Sequence, residues 1–190
     1  MYTRKPPPVI KPKPFLHTAF FYTCGISCLV VQNLIMCLSS YWQEKFHPAI
    51  TKYYPFAYML GAFLSFWLFN LTNRQLSFSA RIYGIPIVMV LSFVCLLLIG
   101  EFIPKGSPKD IIFLATIFFQ GFSNELMQFT IFRYVVNFGY SDVSRYNNGT
   151  SMSSVFTSLL ALLVFLFVED NFTAALVCVV VIGFVLIACI

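Results

Sequence analysis

The sequence predicts an all-α membrane protein with six transmembrane helices. Three observations point there. Hydrophobic residues make up 59% of the 190-residue chain and charged residues 10%, where soluble domains average roughly 45–50% apolar and about 25% charged. The mean hydropathy is +0.82. The apolar residues fall in six stretches separated by short polar links, each stretch near the ~20 residues that cross a hydrocarbon core. This composition suits neither a disordered tail nor a disulfide-stapled secreted module.

Residues 1–14 read MYTRKPPPVIKPKP, with four of the twelve basic residues and five prolines. They are expected to form a cytoplasmic basic tail suited to a Pro-x-x-Pro ligand role or to anionic lipid headgroups. The prolines argue against a mitochondrial presequence, and no small-residue cleavage site follows the first apolar run. Residues 15–190 are expected to form the bundle. The first span is placed at 15–39, followed by SYWQEKFHPAITKYY, whose Tyr and Trp residues suit the lipid headgroups. The second span is placed at 54–71, and NLTNRQLSFSAR links it to a third at 82–102, with Pro86 expected to kink its start. EFIPKGSPKD is turn-forming by its Pro and Gly content. The fourth span, 111–138, is long and the most polar, and GYSDVSRYNNG joins it to a fifth at 150–168. Glu169-Asp170-Asn171 makes a tight turn before the last span, 172–190, which ends inside apolar sequence, as expected of a truncated product or gene model, with a genuinely short protein also allowed.

Charge sets the expected orientation. With the N-terminus cytoplasmic, that side holds Arg4, Lys5, Lys11, Lys13, Arg74, Arg81 and Arg145 against Asp142. The other side holds Lys45, Lys52, Lys105 and Lys109 against Glu44, Glu101, Asp110, Glu169 and Asp170. The excess of bases inside follows the positive-inside tendency. The plasma membrane is expected in preference to an organelle. Of three glycosylation sequons, those at Asn70 and Asn148 fall on the cytoplasmic side and that at Asn171 lies outside but against the membrane, so none is expected to be modified.

No catalytic constellation emerges. His17 and His47 are far apart, and no phosphate loop, HExxH or GxSxG occurs. The six cysteines lie in apolar segments without a CxxC pair, as small buried hydrophobes do. The chain is therefore expected to be neither an enzyme nor a metal or cofactor protein, and not to bind nucleic acid.

The informative residues are polar ones at membrane depth. An ionisable group there is costly and normally faces the bundle interior or a cavity. The fourth span carries Gln120, Ser123, Asn124, Glu125, Gln128, Thr130 and Arg133. Glu125 and Gln128 share a helical face. The first span carries Gln32 and Asn33 at mid-depth. Such groups can line a path for a polar, uncharged solute, or bond helices together. The small residues Gly149 to Ser154, with Thr157 and Ser158, are expected to serve packing, as are Gly61, Gly84 and Gly100.

Four local patterns resemble the N-terminal half of the equilibrative nucleoside transporter family. Gly25-Ile26-Ser27-Cys28-Leu29-Val30-Val31-Gln32-Asn33 is similar to the first-span G-x-G-x-L-x-P-W-N, with Val31 and Gln32 at the Pro and Trp positions. Tyr54-Pro55-Phe56-Ala57-Tyr58 is similar to the aromatic-Pro start of the second span. Gly121-Phe122-Ser123-Asn124-Glu125-Leu126-Met127-Gln128 resembles the fourth-span G-x-G-N-A-x-x-Q, with Glu125 replacing a small residue. Gly149-Thr150-Ser151-Met152-Ser153-Ser154 resembles a fifth-span glycine-rich stretch. Residues 73–81 look like the family's short basic loop, and the likeness covers roughly residues 18–165.

The resemblance implies a major-facilitator-like fold, of which this chain supplies six of eleven spans. It implies facilitated movement of nucleosides or nucleobases across the bilayer. Asn33, Asn124 and Gln128 would contact the solute or support residues that do, and Met36, one turn beyond Gln32, would flank the same cavity; Glu125, which departs from the family pattern, is expected there from its depth alone. Alternating access then needs a homodimer or a C-terminal half. Two other readings stay open: a non-transporting membrane scaffold or regulator, and a transporter of another small polar solute.

Overall fold

The computed structural model describes residues 14–75, 77 and 80–188. The basic tail up to Lys13, residues 76, 78 and 79 of the second link, and the last two residues lie outside them. The described chain is helical throughout. Its elements are α1 (Pro14–Cys37), α2 (Ser39–Lys45), α3 (Pro48–Thr51), α4 (Tyr54–Gln75), a π-helical turn (Ala80–Gly84), α5 (Ile85–Phe102), α6 (Ser107–Val136), α7 (Tyr140–Phe167) and α8 (Asn171–Ala188). Among the described residues, three segments are long and apolar enough to cross a membrane: Phe15–Cys37, Arg81–Phe102 and Tyr140–Phe167. Tyr54–Phe69 and Asn171–Leu186 are shorter apolar helices. The chain is an all-α, multi-pass membrane protein.

Local chemistry explains the breaks. The Pro86 ring has no N–H to donate and would crowd the carbonyl four residues earlier. Just ahead of it the chain forms a π-helical turn, and α5 starts at Ile85 with the proline in its first turn. Gly139, between α6 and α7, has φ +124, a conformation that side chains rarely adopt.

The link after the first span differs from expectation. It folds into α2 and α3, and Tyr41 and Trp42 are buried inside the protein rather than set at headgroups. Trp42 donates its indole N–H to the Ile35 carbonyl at 3.0 Å, closing the break after Cys37. Its ring packs among Phe46, Phe93 and Phe113, so burying so large a ring stabilises the corner. At the far edge of the link Tyr53 is exposed and Tyr54 is buried.

The closest helix pairs are α1 with α7 and α4 with α6. Glycines make both possible. A Cβ on Gly25 would strike the Tyr146 carbonyl oxygen, and one on Gly149 that of Tyr22. A Cβ on Gly61 would strike the Phe118 carbonyl oxygen, and one on Gly121 that of Tyr58. Gly84 meets nothing nearby, so it does not serve packing as expected.

Polar clusters gather at the two ends. At one, Lys45 pairs with Glu101 at 2.8 Å, and Asn171 donates to Glu44 at 2.9 Å. The bond to Glu101 raises the Lys45 pKa above its ordinary value. Lys109 donates to the Gly100 and Ile103 carbonyls at 2.9 and 2.7 Å, satisfying the end of α5. Burial pulls its pKa down. At the other end, Asp142 accepts from Arg145 at 2.6 Å and lies 3.5 Å from the His17 ring.

Candidate functional site

The polar groups of α6 sit near the middle of a 30-residue helix. Glu125 and Gln128 are both half-buried. With its nitrogen turned toward the carboxylate, the Gln128 amide donates to both Glu125 oxygens, at 3.0 and 3.2 Å. Among the described residues no cation forms an ion pair with Glu125. Asn124 is fully enclosed, and neither its oxygen nor its nitrogen finds a hydrogen-bond partner. Gln120, also fully enclosed, donates to the Met89 carbonyl at 2.8 Å and the Ser92 hydroxyl at 2.7 Å, bonding α6 to α5.

The predicted residues of α1 are placed differently. Gln32 is half-buried. Asn33 donates its amide to the Ser153 hydroxyl at 3.1 Å, tying α1 to α7. Met36 is exposed, and its sulfur accepts from the Tyr54 hydroxyl at 3.4 Å. The structure thus brings Asn124, Glu125 and Gln128 together on α6, while Asn33 and Met36 are engaged by α7 and α4.

Two tyrosines join this group from outside the predicted set. Tyr58 of α4 and Tyr146 of α7 are both buried, and Glu125 bears electrostatically on both hydroxyls. Neither hydroxyl makes a hydrogen bond of good geometry. The Asn124 amide lies beside Tyr58 and the Cys28 thiol beside Tyr146.

The small residues opening the fifth span divide by helical periodicity. Gly149, Ser153 and Thr157 are buried in the α1 contact, as packing requires. Ser151, Ser154 and Ser158 lie on another face and are exposed, together with Asn147 and Asn148. The packing expectation fails for Ser151 and Ser154, while Ser158, though exposed, still meets the Cys37 sulfur of α1 at 3.8 Å. The stripe borders a surface depression of about 510 Å³ lined by Tyr22, Ile26, Asn148, Ser151 and Met152. The Asn148 amide donates to the Tyr22 hydroxyl at 3.4 Å across one edge.

A pattern in the sequence could have revealed the tyrosines. Tyr58-x-x-Gly61-x-x-x-Ser65 on α4 recurs as Tyr146-x-x-Gly149-x-x-x-Ser153 on α7. Gly25-x-Ser27-x-x-x-x-Gln32 on α1 recurs as Gly121-x-Ser123-x-x-x-x-Gln128 on α6.

Among the described residues no three His, Cys, Asp or Glu side chains gather as metal ligands would. No family model matches the chain, and no curated protein matches it either.

Proposed function

We propose that the chain is a facilitative transporter of nucleosides or nucleobases, folded as six spans like the N-terminal half of a major-facilitator-like transporter. The observation that carries the reading is Glu125 with Gln128, partly exposed at mid-helix with no counter-ion among the described residues. Polar groups at that depth belong to a cavity or a protein contact, since hydrocarbon cannot satisfy them. The exposed serines of α7 support it. Ser151 and Ser154 donate within their own helix, at 3.1 Å each, and keep lone pairs for a solute. Apart from Glu125, these groups are neutral donors and acceptors, which suits an uncharged ligand rich in both.

The pairing of α1 with α7 and α4 with α6 supports the six-span count, because it treats the chain as two related sets of three. A second bundle completes the path, either a second copy or a C-terminal half. The plasma membrane, with the N-terminus inside, remains the proposed setting. The test is uptake of labelled adenosine, uridine and hypoxanthine by transport-deficient cells expressing the chain. Alanine at Asn124 or Gln128 lowers uptake with surface insertion intact. Unchanged rates in both variants reject the site, and uptake that unlabelled nucleosides do not compete for assigns the path to another solute.

A further inference from the structure

The two buried tyrosines are equivalent by an internal repeat, and the geometry repeats with the sequence. Gly25 of α1 fits against the Tyr146 carbonyl as Gly121 of α6 fits against that of Tyr58. Gly149 fits against Tyr22, three residues before Gly25, and Gly61 against Phe118, three residues before Gly121. The operation that carries α1 onto α6 therefore carries α4 onto α7 and exchanges the two crossings. Such three-helix repeats place a site at their interface.

The two copies differ in chemistry. Cys28, beside Tyr146, corresponds to Asn124, beside Tyr58, and Leu29 corresponds to Glu125. The tyrosines themselves are kept in both. Tyr58 is 3% exposed, Tyr146 2% and Asn124 0%; Asn124 lies beside Tyr58 and Cys28 beside Tyr146, but neither phenol hydroxyl nor the Asn124 amide makes a hydrogen bond of good geometry. Packing alone would be met by phenylalanine. A buried hydroxyl without a well-formed hydrogen bond lowers stability, so its presence at both equivalent positions points to a better partner that comes and goes.

We propose that Tyr58 and Tyr146 are a repeat-related pair of ligand-binding residues forming the inner wall of the Glu125–Gln128 site. With Asn124 they offer two phenols and an amide, each able to donate and accept, next to a carboxylate that accepts. That set fits an uncharged solute with hydroxyl or ring N–H donors and neighbouring acceptors, as a nucleoside presents. The inference rests on the solute-site reading above and adds the two phenols to it.

The experiment uses the full chain purified in lipid nanodiscs, with adenosine as the probe, reading equilibrium binding and thermal unfolding. Tyr58→Phe and Tyr146→Phe each keep the unliganded Tm of the wild type or exceed it, because each removes a hydroxyl that makes no hydrogen bond of good geometry. Each also weakens adenosine binding about three- to tenfold, the range for one lost neutral hydrogen bond. Wild-type affinity in both variants overturns the tyrosine assignment and leaves the Glu125–Gln128 site standing. Absence of adenosine binding by the wild type overturns the nucleoside-site reading and this inference with it.

Discussion

Asn33 and Ser153 meet through one hydrogen bond between α1 and α7, at 3.1 Å. Asn33→Ala and Ser153→Ala should each lower stability by about 1 kcal/mol, and the double variant by little more than either. Thermal unfolding in a double-mutant cycle checks this, and fully additive losses would show that the pair does not interact. That a polar residue sits at depth is legible in any sequence, because hydrocarbon makes it conspicuous. Asn124, Glu125 and Gln128 stood out for that reason. Whether Asn33 faces a solute or a neighbouring serine depends on how two distant helices rotate against each other, which composition does not encode. Tyr58 and Tyr146 were hidden for a different reason. In an apolar span with many aromatic residues, a phenol reads as one more ring until its hydroxyl is seen to lack a partner.

Helices set the next scale. Gly25, Gly61, Gly121 and Gly149 let backbones touch where any side chain would strike a carbonyl. Gly25→Ala and Gly121→Ala should force the paired helices apart, at about 1–3 kcal/mol each as for other overpacking. Gly84→Ala, in open space at φ −71, should change stability by less than about 1 kcal/mol. Equal losses at all three positions, measured by Tm, would contradict the close-crossing account. The start of α8 gives a pH dependence. The Asp170 carboxylate accepts from the Thr173 hydroxyl at 2.6 Å and the Thr173 amide at 2.7 Å, and these bonds hold its pKa below the ordinary 3.8. The depressed pKa means that the stabilisation is present above that ordinary value and is lost as pH falls through the lowered one. Amide exchange in the first turn of α8 should therefore quicken on acidification below about pH 4 beyond the intrinsic rate, and Asp170→Asn should remove that dependence. Helix ends were less legible than spans. GYSDVSRYNNG looks like a loop by polarity, yet α7 begins at Tyr140, because Asp142 and Arg145 neutralise each other one turn apart. Likewise α6 begins at Ser107, ahead of the apolar run, where Lys109 caps α5.

At the scale of the molecule, residues assigned by charge to one side of the membrane do come together. Glu44, Lys45, Glu101, Lys109 and Asn171 share one end of the bundle, and His17, Asp142 and Arg145 the other. That much follows from alternating spans of near-equal length. The pairing of helices was not read from hydropathy, which is blind to which span touches which. The repeated Tyr-x-x-Gly-x-x-x-Ser and Gly-x-Ser-x-x-x-x-Gln patterns held that information. The proposed path for an uncharged solute runs along the wall formed by α6 and α7. The measurement that tests it most directly is uptake of labelled adenosine, uridine and hypoxanthine in nucleoside-transport-deficient cells, with surface insertion of the chain verified on the same cells. A transporter of this kind gives saturable uptake that unlabelled nucleoside competes away and that Gln128→Ala lowers. Verified insertion with uptake no greater than in untransfected cells would contradict the proposed path.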